Sequence, residues 1–125
     1  NRVEEGVRFV EEADSVQCAR RILTQAKEMF PTLLIGPPPV EDDKMNYRAE
    51  KTSAAYAQLC QELEVPYLEV YQPLRENAIW MQEVAAIDGA HPAAAGYLAF
   101  SQLVTDWAAW QSWFEQDKED KASIA

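Results

Sequence analysis

One short stretch of the sequence decides the fold class: Thr32-Leu33-Leu34-Ile35-Gly36-Pro37-Pro38-Pro39. The first four residues form a continuous apolar run without alternation, which is typical of a β-strand covered on both faces. The glycine ends the run, and the three prolines predict an extended loop at the carboxyl end of the strand. The stretch therefore indicates a buried strand of an α/β fold.

A helix and a second strand are predicted after this loop. Asn46 is a candidate cap for the helix, whose apolar residues recur at spacings of three and four. Val65–Val70 is interpreted as a strand with Pro66 at its start, where a missing N–H matters least. Strand, helix and strand at this spacing predict a βαβ unit with parallel strands and a right-handed crossover.

The segment before the first strand predicts one helix. Residues 1–13 are charged, include Gly6, and are interpreted as an irregular lead-in. Asp14 and Gln17 form a helix-start signature, and Pro31 is expected to end the helix. The apolar stripe of this helix comprises Val16, Ala19, Leu23, Ala26 and Phe30.

The segment after the second strand predicts a short helix and loop over 72–84, anchored by Trp80 and Met81, and then a last helix with Pro92 in its first turn. Aromatic side chains recur along the last helix. They are interpreted as core, the alternative being the lining of an acyl pocket. Residues 1–125 are predicted to form one domain with a charged, frayed tail at 115–125.

Composition narrows the classes of partner. The chain has 125 residues, of which 48% are hydrophobic, and its net charge is −10. A surface of this charge repels phosphate backbones and anionic lipid headgroups, so no nucleic acid is expected as a partner. No apolar run is long enough to span a bilayer. No export signal is visible, and localisation stays open, with the cytoplasm as the default.

Two features could suggest a metal or a disulfide. Cys18 and Cys60 lack any metal-binding spacing and are interpreted as reduced, partly buried thiols. Glu41, Asp42 and Asp43 could form a metal site, but a solvated loop that favours the start of the next helix is the preferred interpretation. No metal site is therefore expected in either place.

The candidate catalytic residues lie in the segment Asp88-Gly89-Ala90-His91-Pro92, which contains the single histidine of the chain. The glycine allows a tight turn that can bring the Asp88 carboxylate to the His91 Nδ1–H. The carboxylate would then fix the tautomer, and Nε2 would be free to take a proton from a nucleophile. The alternative interpretation is that Asp88 caps the last helix and His91 is merely exposed.

Three stretches of the chain resemble the GDSL/SGNH hydrolases over about residues 13–113. Asp88–Pro92, followed by Ala-Ala-Gly-Tyr, is similar to the final block of that family, which supplies the acid and base of a Ser-His-Asp triad. Residues 35–40 are similar to the family's fourth strand and its loop, and Val65–Val70 to its fifth strand. Trp80-Met81 also fits the bacterial members.

The resemblance implies a three-layer α/β/α flavodoxin-like sandwich with five parallel strands, of which this chain contains the last two and their helices. It implies hydrolysis of carboxylic esters or thioesters through an acyl-enzyme, without a metal or an organic cofactor. His91 would be the general base and then the general acid, and Asp88 would orient it. The partner would be a small-molecule acyl ester, whose identity the sequence leaves open.

The chain lacks the family's Gly-Asp-Ser nucleophile motif, its oxyanion-hole glycine and its Gly-x-Asn-Asp motif, and it has no Gly-x-Ser-x-Gly elbow. Its five serines fall in predicted helices or the tail. We therefore expect the C-terminal half of a hydrolase, inactive alone, that is completed by an N-terminal segment or as a homo-oligomer. The alternative function is that of a truncated, non-catalytic α/β domain that binds or oligomerises through exposed apolar surface.

Overall fold

The computed structural model of the chain describes residues 2–115, and the side chains of residues 13–115. The described part is mostly helical and contains a two-stranded parallel sheet, which is compatible with a partial α/β fold. The predicted tail lies outside the described residues from 116 onward. The elements in chain order are α1 Arg2–Met29, β1 Leu34–Ile35, α2 Asp43–Leu63, β2 Tyr67–Leu68, α3 Tyr71–Arg75, α4 Ala78–Ile87, α5 Ala94–Thr105 and a further helix, α6, over 108–115.

Helix α1 begins at Arg2, so the prediction of an irregular lead-in over residues 1–13 is wrong from residue 2 onward. Glutamate and arginine are good helix formers, and a single glycine costs a helix only about 1 kcal/mol. The Asp14 signature therefore lies within a helix that has already started. The helix ends at Met29, just before Pro31, as predicted.

The two strands pair in parallel, with Leu34 opposite Tyr67 and Ile35 opposite Leu68. Both are shorter than predicted, because the ladder is bounded by residues that limit pairing. The backbone N–H of Leu34 donates to the carbonyl of Pro66 at one end, and the N–H of Gly36 donates to the carbonyl of Leu68 at the other. Beyond Gly36 the prolines have no N–H to donate.

Helix α2 is capped by Asp42, whose side chain accepts a hydrogen bond from the N–H of Met45. The prediction that Asn46 caps this helix is wrong. Asn46 lies inside α2 and is buried, and its side-chain amide accepts from the N–H of Val40 and donates to the carbonyl of Val40, both at 2.7 Å. It therefore holds the loop that leads into the helix.

Two small cores form on either side of β2. In the first, Leu23 of α1 packs with Leu59, Cys60 and Val65, and the partly buried Leu34 and Tyr67 pack against them. The second comprises Val70, Leu74, Trp80 and Val84, with Leu68, Met81, Ala99, Phe100 and Leu103 against it. Trp80 is thus an apolar anchor, as predicted, and it joins α4 to α5.

The last helical segment is broken, whereas the aromatic pattern predicted one helix through residue 114. Helix α5 ends at Thr105, and the N–H groups of Asp106 and Trp107 bond carbonyls of the last turn. The side chain of Gln111 donates to the carbonyl of Thr105 at 3.0 Å. The free carbonyl at the break is therefore satisfied, which stabilises the interruption.

Both cysteines are free. Cys60 is buried in the first core, and burial raises the pKa of its thiol. Cys18 is exposed, not partly buried as predicted, because it faces away from the stripe that packs on α2. Within residues 2–115, none of the helices is both long and apolar enough to cross a membrane.

Candidate active site

The segment Asp88–Pro92, here termed the histidine turn, joins the end of α4 to the start of α5. Asp88 is the residue that caps the C-terminus of α4. Gly89 has a φ of +83°, a conformation that side chains with a Cβ rarely adopt, and its N–H donates to the carbonyl of Val84 at 2.6 Å. The glycine therefore allows the chain to reverse direction immediately after the aspartate.

The side chain of Asp88 turns back onto the residues that follow it. One carboxylate oxygen, Oδ1, accepts hydrogen bonds from the N–H groups of Ala90 and His91 at 2.9 and 2.7 Å. The other oxygen, Oδ2, lies 2.6 Å from Nδ1 of His91. The turn therefore brings together the two residues that the sequence singled out, and it does so with three contacts to one carboxylate.

These contacts stabilise the anionic form of the carboxylate. The N–H of His91, the N–H of Ala90 and the His91 imidazole, in that order, lower the pKa of Asp88 from 3.8 to about 2. Asp88 is an anion at neutral pH, so the 2.6 Å contact suits the His91 tautomer in which Nδ1–H donates to the carboxylate. This tautomer leaves Nε2 as a hydrogen-bond acceptor on an imidazole whose side chain is 69% exposed.

The alternative interpretation had two parts, and the first, that Asp88 caps the last helix, is wrong. The N-cap of α5 is Ala93, which has no side chain to offer, and Asp88 instead ends α4. Pro92 lies before α5 and not in its first turn, because the helix begins at Ala94. His91 is exposed, as that interpretation expected.

Glu83 of α4 is a residue of this region that the sequence did not single out. Its Oε1 accepts hydrogen bonds from the N–H groups of Ala93 and Gly96, at 3.0 and 2.5 Å. A carboxylate in this position also interacts favourably with the positive end of the helix dipole of α5. The sequence signal was a glutamate ten residues before the N-cap, a separation that no local capping pattern covers.

The loop after β1 runs alongside the histidine turn, which is the location expected from its place at the carboxyl end of a parallel strand. The N–H of Glu41 donates to the carbonyl of Gly89 at 2.8 Å. The indole N–H of Trp80 donates to the carbonyl of Pro39 at 3.0 Å. These two hydrogen bonds tie the proline-rich loop to the turn and to the helix before it.

The serines of the described residues are engaged elsewhere. The hydroxyls of Ser15 and Ser53 hydrogen-bond the hydroxyls of tyrosines on the α1–α2 side, and those of Ser101 and Ser112 donate to carbonyls of their own helices. None of the four hydrogen-bonds His91 in the described part of the chain. Ser123 lies outside the described residues.

The acidic cluster has a structural role at one of its three positions, since Asp42 caps α2. Across residues 13–115, no three histidine, cysteine, aspartate or glutamate side chains are grouped as a metal site would require. The contact between Asp88 and His91 is, in its geometry, one in which a carboxylate can orient an imidazole for proton transfer.

Comparison with known proteins adds a family. No curated protein matches this chain. The sequence model of the GDSL-like Lipase/Acylhydrolase family matches residues 6–99, which include β1, β2 and the whole histidine turn. The match covers well over half of the chain and agrees with the resemblance found in the three sequence motifs. The chain therefore belongs to the GDSL-like lipase/acylhydrolase family.

Proposed function

We propose that this protein is a serine ester hydrolase in which His91 is the general base and Asp88 orients it. The observation that carries the proposal is the Asp88–His91 pair, with 2.6 Å between Oδ2 and Nδ1, in a chain of an acylhydrolase family. The substrate is a small-molecule carboxylic ester or thioester. The imidazole is exposed at the end of a turn, so an acyl group can approach it.

In the first half of the reaction, Nε2 of His91 takes the proton from a serine hydroxyl while the serine oxygen attacks the acyl carbon. The resulting imidazolium is stabilised by the anionic Asp88. The imidazolium then gives the proton to the oxygen or sulfur of the leaving group, which departs as an alcohol or thiol when the C–O or C–S bond breaks. In the second half, His91 takes a proton from water while the water oxygen attacks the acyl-enzyme. His91 then gives this proton to the serine oxygen as the acyl C–O bond breaks, which releases the acid and the free serine.

The nucleophile and the oxyanion hole are proposed to come from outside the described residues. The four serines within residues 13–115 lie in helices and bond other partners, and the sequence has no Gly-Asp-Ser motif. A serine on a tight turn after a strand, in a segment beyond this chain or in a partner, would complete the triad. The chain on its own would then bind the ester and orient the imidazole of His91, but it would not form an acyl-enzyme.

The test uses the complete translation product that carries this chain, with p-nitrophenyl acetate as the ester and a fluorophosphonate as the label for an activated serine. His91→Ala should lower kcat/KM by about 10⁴- to 10⁶-fold and abolish labelling, because an unactivated serine is a poor nucleophile. Asp88→Asn should lower it by about 10²- to 10⁴-fold through the wrong tautomer. Mass spectrometry of the labelled peptide should locate the serine outside residues 13–115.

The matched control is Gln82→Ala, an exposed position of α4 close to the histidine turn, which should retain wild-type rates. Unchanged hydrolysis and labelling in His91→Ala would exclude His91 as the base. A labelled serine among Ser15, Ser53, Ser101 and Ser112 would exclude the proposed origin of the nucleophile.

Exposed apolar side chains favour a second candidate function, which is association without catalysis. Ile22, Met29 and Phe30 at the C-terminal end of α1 are 64–72% exposed, and Ile35 of β1 is 38% exposed. Large apolar side chains exposed to this extent are a feature of interaction surfaces. This candidate predicts a concentration-dependent mass in light scattering that Met29→Glu abolishes, together with no ester hydrolysis that depends on His91.

A further inference from the structure

Glu83 spans the histidine turn from one side to the other. It belongs to α4, five residues before Asp88, and its carboxylate binds the N–H groups of Ala93 and Gly96 beyond His91. One side chain thus connects the helix before the turn with the helix after it. The length of this connection sets how far apart the two ends of the turn can be.

Two features of the start of α5 favour the contact with the Glu83 carboxylate. Helix α5 receives no side-chain hydrogen bond from its own N-cap, Ala93, so the Glu83 carboxylate provides the acceptor for its first N–H groups. Gly96 is buried, and a Cβ added there would lie 2.7 Å from Oε1 of Glu83 and 2.5 Å from the Cβ of Pro92. The absence of a side chain at Gly96 therefore allows the carboxylate and the turn to approach the helix closely.

The Asp88–His91 pair needs such external support. The side chains of Asp88 and His91 are 48% and 69% exposed, so solvent weakens the interaction between them. Water can compete for every hydrogen bond of the pair once the turn opens. A turn whose ends are fixed keeps the carboxylate beside Nδ1 at little entropic cost, which is the condition for a preorganised base.

We propose that Glu83 is a positioning residue, whose hydrogen bonds to the start of α5 close the histidine turn and keep Nδ1–H of His91 bonded to Asp88. The inference rests on the proposed function, in which this tautomer leaves Nε2 as the base. Glu83 does not touch the reacting atoms. Its effect reaches them through the backbone of the turn.

Because His91 is the single histidine of the 125-residue chain, its ring nitrogens can be observed without assignment in protein labelled with ¹⁵N-histidine. At about pH 8, where an ordinary imidazole is neutral, the wild type should show a protonated Nδ1 and an unprotonated Nε2. Glu83→Ala should lose this difference, giving averaged ring-nitrogen shifts. Glu83→Gln should retain it, because the amide oxygen can accept from both N–H groups, and Gln82→Ala should match the wild type.

In the complete translation product, Glu83→Ala should lower kcat for p-nitrophenyl acetate by about 10- to 100-fold, with little change in KM, and Glu83→Gln should restore most of it. A wild-type ring spectrum in a folded Glu83→Ala variant would overturn the inference. If Glu83→Ala does not fold, Glu83→Asp, whose carboxylate is one methylene short, replaces it with the same expected loss. An equal loss in Glu83→Gln and Glu83→Ala would also overturn the inference.

The two proposals fail differently in this experiment. If the wild-type imidazole carries its proton on Nε2, or if Asp88→Asn leaves the ring spectrum unchanged, the proposed function fails. If the wild type shows the Nδ1–H tautomer, Asp88→Asn abolishes it and Glu83→Ala keeps it, only the role of Glu83 fails.

Discussion

Replacing Trp80 with phenylalanine removes one buried hydrogen bond and leaves most of the ring in place. Trp80 is only 2% exposed, and its indole N–H donates to the carbonyl of Pro39. Its ring lies 5.9 Å from that of Phe100 on α5. The residue therefore joins three parts of the site: the proline-rich loop, helix α4 and helix α5.

The magnitude follows from two losses. The carbonyl of Pro39 keeps its burial and loses its donor, which costs about 1–3 kcal/mol. Besides the nitrogen, phenylalanine also lacks two ring carbons that tryptophan buries, at about 0.8 kcal/mol per buried methylene. Trp80→Phe should therefore lower the free energy of unfolding by about 3 kcal/mol, a large fraction of the 5–15 kcal/mol that is typical of a domain.

The assay is urea unfolding followed by far-ultraviolet circular dichroism, because tryptophan fluorescence would change with the substitution itself. The matched control is Trp113→Phe, at a position that is 39% exposed, which should change the free energy by less than about 0.5 kcal/mol. Equal effects of the two variants, or a loss below about 1 kcal/mol for Trp80→Phe, would refute the assignment of a buried anchor.

Three further predictions concern the turn and its loop. The pKa of Asp88 is lowered from 3.8 to about 2 in the folded protein, so its contribution to stability is complete above pH 3.8 and is lost as the pH falls to about 2. Asp88→Asn should remove this part of the pH dependence of the free energy of unfolding. Asn46→Asp replaces the amide group that donates to the carbonyl of Val40 by a second acceptor oxygen, and it should destabilise the protein by about 2 kcal/mol in thermal unfolding. Asn46→Ala, measured in the same way, separates the repulsion between the new carboxylate and this carbonyl from the loss of the two hydrogen bonds. Gly89→Ala has room for its Cβ but must adopt a positive φ, so it should cost about 1–2 kcal/mol in urea unfolding, and no cost would contradict the turn geometry.

The parts of the molecule that the sequence predicted well are those encoded by neighbouring residues. Asp88 and His91 are three residues apart with a glycine between them, so their contact requires only one turn of backbone. The parallel pairing of the two strands followed from the helix between them. The assignment of the family rested on these same local blocks.

The parts that were predicted wrongly depend on competition between local options. Asn46 and Asp42 are both good caps, and Asp42 caps the helix while Asn46 binds Val40. Glu83 was missed because its partners lie across a turn, and a capping pattern reads only the few residues around a helix start. Such choices depend on which nearby partner a side chain meets in the folded loop, and residue type and spacing alone do not specify that partner.

The hydrogen bond from Glu41 to Gly89 runs between main-chain atoms and is therefore indifferent to the side chain at position 41. The side chain there can change in charge, size or shape next to the histidine turn while the spacing of the two loops is preserved. In a library randomised at this position, most variants should therefore fold and keep the contact between the loop and the histidine turn. The main chain thus fixes the spacing of the two loops and leaves the side chain at position 41 free to change beside the histidine turn.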